Sequence, residues 1–328
     1  AWLFVFAPTT LFKYSMVCSG NHFENVFFTS VVLFLFYRFH RGEITLPRLF
    51  LLALSAGFSI FVFLGAVIPV GILAGLHLGI RGPRRCLRDL AGLIPGFLLG
   101  LAPLLVLNAW TGGRGAFFLA AKFGETDAVG ASSLTRVPSR IASYLAVKLP
   151  QAAAYPAFAG MKGTFLSAIF ALVLVVATLA CLPSAIRGFR GLFAGDERTR
   201  FEGAKLVPMV AYLPLSALAF GLSNLVVYEL GGPLAFSAFR YYLPVLLFGI
   251  LALAAVCARG LERGGAARVG ATALFAAALL PGLSNLSLVD WTWANTGHGP
   301  RYDGYDLSKV GRTLLAKKKH LSQADITG

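Results

Sequence analysis

The chain is short of charge, and shortest of acids. Charged residues make up 13% of its 328 residues and only 14 are Asp or Glu, against ~25% charged residues in ordinary soluble domains. A soluble fold of this length, which could be two domains of roughly 150 residues, would lack the polar surface to cover itself. Cysteine is scarce too: Cys18, Cys86, Cys181 and Cys257 lie far apart, with no CxxC and no Cys/His ligand spacing. Neither a disulfide framework nor a zinc site is indicated, and the four read as small packing residues. No P-loop, GxSxG or HExxH is present, so nucleotide hydrolysis and zinc proteolysis have no support. Nor is there an internal repeat or a matching pair of broken helices, which weakens a transporter built from inverted repeats.

Apolar side chains are what the sequence has instead, at 57% and a mean hydropathy of +0.74. They recur in uncharged windows at residues 25–37, 49–80, 90–113, 163–186, 206–228, 241–258 and 269–289. A helix needs about 20 such residues to cross ~30 Å of hydrocarbon. The window 49–80 would run ~48 Å as one helix at 1.5 Å per residue, so it is expected to split into two short helices that turn near residues 63–65. With residues 1–6 as the tail of an earlier helix, the expectation is an all-α, polytopic transmembrane helix bundle of about eight complete spans and one partial span. The chain opens at Ala1 inside an apolar run, without an initiator Met or a basic n-region, and is expected to be a fragment lacking its first helices.

The net charge of +15 would suggest nucleic acid in a soluble protein. In a membrane protein its placement matters more. If residues 8–20 are outside, the inner loops hold Arg38, Arg41 and Arg48; Arg81, Arg84, Arg85 and Arg88; Arg187, Arg190, Arg198, Arg200 and Lys205; and Arg259, Arg263 and Arg268. The short outer segments hold only Lys13 and Arg240. This is the positive-inside pattern, and it needs window 49–80 to be split. The charge therefore gives a topology, with no nucleic-acid partner.

Two pieces then lie outside: a loop at about residues 109–163 and a polar tail at 290–328, the start of a further domain by this division. In the loop, residues 138–149 read as a helix with Pro138 at its first turn. Leu134, Val137, Ile141 and Leu145 fall at helical spacing, as suits a helix lying on the membrane surface, either as a plain cover or as a lid over a site. The tail opens with Trp291 and Trp293, which favour the headgroup region. It continues with Leu307, Val310, Leu314 and Leu315 behind Asp306 or Ser308 as cap, then Lys317, Lys318, Lys319 and His320.

Ionisable groups in spans are costly and therefore candidates for function. Glu24, with Asn21 and His22, stands at the outer mouth of a span. An acid in the first turn also suits the helix dipole, so capping alone could explain it. The alternative is a membrane-surface site where carboxylate and imidazole position or deprotonate a hydroxyl. Arg240 and Tyr241 open another span at the same face. The Arg fork suits a phosphate, although a snorkelling arginine beside belt tyrosines is the plain alternative. His77, near the inner end of a span, reads as a packed or interfacial histidine.

Four stretches together resemble the C-type glycosyltransferase superfamily (GT-C), in particular the relatives of dolichyl-phosphate-mannose protein mannosyltransferases and bacterial aminoarabinose transferases. They are Ser19-Gly20-Asn21-His22-Phe23-Glu24 opening a helix; the short-helix hairpin across 49–80; Gly96-Phe97-Leu98-Leu99-Gly100-Leu101-Ala102-Pro103 running to Asn108 before a long outer loop; and Arg240-Tyr241-Tyr242-Leu243-Pro244. The likeness covers roughly residues 1–289. It implies transfer of a sugar from a polyprenyl-phosphate donor to a lipid, glycan or protein acceptor on the outer face of a bacterial inner membrane. By that resemblance Glu24 matches the later acidic position, in a supporting or substrate-contacting role, and Arg240 a carrier-phosphate contact; the candidate catalytic residues are Glu24 and His22, and the candidate substrate contacts Asn21, Arg240 and Tyr241. Asn21-His22 departs from the commoner form of the segment. The family's catalytic base lies in a first large outer loop that has no counterpart here, so the main catalytic acid is expected to be missing from this stretch. A lipid or polysaccharide transporter or flippase, and a non-catalytic membrane scaffold, remain the alternatives.

Overall fold

The structure is a computed structural model, and it describes residues 22–113, 137–148, 156–193, 195–222 and 243–288. Ten α-helices and no strand occur among the described residues. In chain order they are α1 (His22–Arg41), α2 (Leu46–Val62), α3 (Val67–Arg81), α4 (Pro83–Trp110), α5 (Val137–Ser143), α6 (Pro156–Gly191), α7 (Glu197–Ala204), α8 (Val207–Leu222), α9 (Leu243–Arg263) and α10 (Gly265–Leu288). Four helical stretches are long and apolar enough to cross a membrane, five if α7 and α8, bent by 57°, form one span; α2 and the apolar part of α10 are shorter. The remaining windows of the expected eight are α2, α10 and α1, which carries charges near both ends, and the expected partial span at residues 1–6 lies outside the described residues.

The expected break in window 49–80 is present. α2 stops at Phe63, whose backbone is extended (φ −153°, ψ 118°), and a 3-10 turn at Leu64–Ala66 leads into α3. At the far end of α3, Gly82 takes φ 74°, a conformation that costs glycine little. Pro83 then starts α4, where its missing N–H would have had no helical partner. The chain thus goes out along α2, back along α3 and out again along α4.

Glycines fix how α2 and α4 lie together. A Cβ on Gly92 would stand 2.9 Å from the Leu46 carbonyl oxygen, one on Gly96 2.3 Å from that of Phe50, and one on Gly100 2.2 Å from that of Leu54. Each contact advances four residues on both helices, so the two run parallel with their backbones touching. This is the small-xxx-small packing that membrane helices use where burial of apolar surface gives no drive. The opposite face of α4 exposes Leu98, Leu99, Leu105, Val106 and Trp110. Large apolar groups outside and glycine inside suit a lipid solvent rather than water. Burial is concentrated instead on α9, whose apolar window is 67% buried against 17% for α4. α9 is surrounded by α6, α8, α10 and α1.

All four basic clusters meet at one end of this bundle. His40, between Arg38 and Arg41, reaches His77, next to Arg81; Arg81 and Arg85 reach Glu197, next to Arg198; and Arg259 donates to Ser184, beside Arg187. This end is called the basic pole below. Convergence of clusters that are far apart in sequence is what a single-sided topology requires.

Candidate functional site

At the pole away from the basic clusters, α1 begins with His22, whose side chain lies outside the described residues. Glu24 is half-buried in its first turn, sixteen residues before His40 and so about 24 Å from the basic pole. Directly below it, Asn25 and Thr29 are fully buried, and the Thr29 hydroxyl donates to Asn25 Oδ1 at 3.3 Å. Asn21, Arg240 and Tyr241 lie outside the described residues. α9 begins two residues after Tyr241 and shares this pole with the start of α1, because its Arg259 end is at the other.

The helix expected in the outer loop is here too. α5 and the π-helical turn that continues it, Tyr144–Lys148, dock on the last turns of α8, the part of α8 farthest from Lys205. Arg140 reaches the Gly221 carbonyl at 3.4 Å, and Ile141 covers Gly221. Tyr144 is fully buried, stacked on Phe220 and within 3.1 Å of the Ser216 hydroxyl. Sequence spacing found the helix but ranked its face by Leu134, Val137, Ile141 and Leu145. The anchor is Tyr144, because its hydroxyl finds a partner that a lipid face could not give. The tail with Trp291 and Trp293 lies outside the described residues.

The densest polar cluster is at the basic pole, and sequence reasoning did not assemble it. Four helices contribute. His40, in the last turn of α1, has Nδ1 2.9 Å from the Phe36 carbonyl and Nε2 3.1 Å from His77 Nδ1 on α3. His77 Nε2 lies 3.1 Å from Asp89 Oδ2 on α4. Arg81 grips both oxygens of Asp89, from Nε at 2.7 Å and Nη2 at 2.9 Å. Its Nη1 donates to Glu197 of α7 at 2.7 Å, where Arg85 also donates at 2.5 Å. His77 and Asp89 are only 4% and 5% exposed. Phe201 of α7 stacks on the His40 ring, and Tyr37 donates to the Lys205 carbonyl at 2.7 Å.

Local sequence explains each position. α3 ends at Gly82 and α4 starts at Pro83, so the eight-residue step from Arg81 to Asp89 crosses a tight turn and returns to the same level. α7 starts with Asp196 as N-cap, whose carboxylate accepts the Thr199 N–H at 2.8 Å. That bond holds the Asp196 carboxyl below its usual range. The signal that could have revealed the cluster is Asp89, the one acid in a loop of four arginines.

No grouping of three or more His, Cys, Asp or Glu suited to a metal ion occurs among the described residues. A cavity of about 80 Å³ between α6, α8 and α9 is lined by Leu174, Val175, Met209, Tyr212, Leu246 and Phe248 among others. Compared with family models, curated proteins and solved structures, the chain matches none.

Proposed function

We propose that this chain is a membrane glycosyltransferase that moves a sugar from a polyprenyl-phosphate-linked donor to an acceptor on the extracytoplasmic face, spanning a bacterial inner membrane about eight times with its basic pole inside. The supporting observation is the position of Glu24: a half-buried acid above a buried Asn25–Thr29 pair, at the pole away from all four basic clusters. A lipid-linked donor arrives sideways from the bilayer, so its phosphate stays at the headgroup boundary and the groups that handle it belong at a helix mouth, not at mid-membrane. Glu24 and His22 then serve the acceptor hydroxyl, while Asn21, Arg240 and Tyr241 hold the donor, the guanidinium against its phosphate. α5, docked at the same pole, is placed to cover the reacting groups from water.

The test is transfer of labelled sugar from a polyprenyl-phosphate carrier by membranes carrying the protein. Glu24→Gln and Arg240→Ala are each expected to lower transfer by roughly 10²-fold, the scale of one positioned acid–base or charge-stabilising group. Unchanged transfer in both variants would remove these residues from the site. Movement of the labelled lipid across the bilayer without covalent transfer would favour the flippase alternative.

A further inference from the structure

The hydrogen bonds at the basic pole do not close without an extra proton. The Phe36 carbonyl can only accept, so His40 Nδ1, 2.9 Å away, carries a hydrogen. With His40 neutral, its Nε2 is then an acceptor, and His77 Nδ1, 3.1 Å away, must donate to it. A neutral His77 would now turn the lone pair of Nε2 towards Asp89 Oδ2 at 3.1 Å, leaving two acceptors face to face in a buried site. One additional proton resolves this. It can reside on His77 as an imidazolium against Asp89, or on His40 with His77 donating to Asp89, and the His40–His77 bond interconverts the two. Asp89 is the poorer holder, because Arg81 donates to both of its oxygens and favours the carboxylate.

We propose that His40, His77 and Asp89 form a proton-binding site whose occupancy ties the end of α1 to the α3–α4 turn. Binding adds H⁺ from bulk solvent at the basic pole to an imidazole lone pair, breaks no bond and raises the charge of the cluster by one. The groups facing the site are His40 from α1, Arg81 from α3, Asp89 with Cys86 and Arg85 from α4, and Glu197 from α7, with Arg200 of α7 donating to the Gly79 carbonyl at 3.5 Å. The titratable group of α8, Tyr212, stacks on Phe248 instead. Three guanidinium groups, Arg81, Arg85 and Arg200, face two carboxylates, so the bound proton has only the shared Asp89 oxygen and the Glu197 field to offset it. It is held as an exchangeable charge rather than a permanent one. Loss of it turns the His77–Asp89 contact repulsive and leaves α1 attached at this end by the Tyr37–Lys205 bond and ring packing. The inference does not depend on the transfer chemistry proposed above.

The experiment uses the full chain in lipid nanodiscs, with histidine labelled by ¹⁵N, and follows ring protonation by NMR from pH 3.5 to 8.5. Backbone hydrogen exchange of residues 36–41 is measured in parallel and corrected for the intrinsic pH dependence. The His40–His77 pair, assigned by loss of its signals in His77→Asn, is expected to carry one extra ring proton at the acid end and none at the alkaline end. Protection of residues 36–41 is expected to fall on the order of tenfold over the same range, the scale of one charge-assisted hydrogen bond. His77→Asn removes the ring between His40 and Asp89, and its exchange should lose the pH dependence. Two neutral rings at every pH, or the same pH dependence of exchange in His77→Asn as in the unmodified chain, would overturn the proposal.

Discussion

Arg81 holds more of the basic pole together than any other side chain there. It spans Asp89 and Glu197 and so joins α3, α4 and α7, with its side chain only 16% exposed. Removing one member of a buried charge pair leaves the other without compensation, at a cost of about 3–5 kcal/mol. Arg81→Ala is therefore expected to lower thermal stability in detergent or nanodiscs sharply, with Asp89 the orphaned group. Arg85, on the same Glu197 but 61% exposed, is a surface partner; Arg85→Ala should cost no more than about 1 kcal/mol. Equal losses from the two substitutions would mean that burial does not rank them. Of these residues, sequence marked Arg81 and Arg85 only as inner-loop charges and His77 as a packed or interfacial histidine. It is packed, and its position in a polar chain depends on His40 and Asp89, which nothing in the linear order connects to it.

Among the elements, the α2–α4 pair depends on what its glycines lack. Gly96→Leu would put side-chain atoms where the Phe50 carbonyl stands, and no rotamer moves a backbone oxygen away. The expected cost is about 3 kcal/mol, the upper range for overpacking, read as a lower unfolding temperature. Gly71 of α3 is the control: a Cβ there meets nothing within 4 Å, so Gly71→Ala should be neutral or stabilising by up to about 1 kcal/mol. A second element, α7, carries a pH dependence. Its cap Asp196 has a carboxyl held low by the Thr199 N–H, so the cap contributes fully above the usual carboxylate value near ~3.9 and is lost as pH falls through the lower folded value. Exchange protection of the Thr199 amide should stay level from pH 8 to 5 and drop below pH ~4. Asp196→Asn, which still caps, should remove that drop, and Asp196→Ala should lower protection throughout.

For the whole molecule, the convergence of four basic clusters at one pole makes the sidedness testable. Arg198→Cys and Arg263→Cys are expected to react with a membrane-impermeant maleimide only after permeabilisation, whereas Ser139→Cys, on α5 at the other pole, should react in intact cells. The parent chain, with its own cysteines, sets the background. Labelling of positions 198 and 139 from the same side would refute the single-sided arrangement, whatever the protein does.

Much of the fold was legible because lipid imposes a simple rule on composition: apolar windows of helical length, separated by arginines, define helices and their ends. The break near residue 63 followed from length and charge placement alone, and the helix at Val137–Ser143 from Pro138 and the spacing behind it. Sequence also marked Glu24 as an acid at a helix mouth, and there its power stopped, since a cap and a site require the same residue at the same place. Tertiary structure decided the rest. The α2–α4 contact depends on a parallel alignment of residues 46 apart, which no local period encodes. Tyr144 finds Ser216 only because α5 folds back on α8. The polar chain from Phe36 to Glu197 exists because four helix ends are drawn to one level, and hydrogen-bond geometry there, unlike hydropathy, is a property of positions in space.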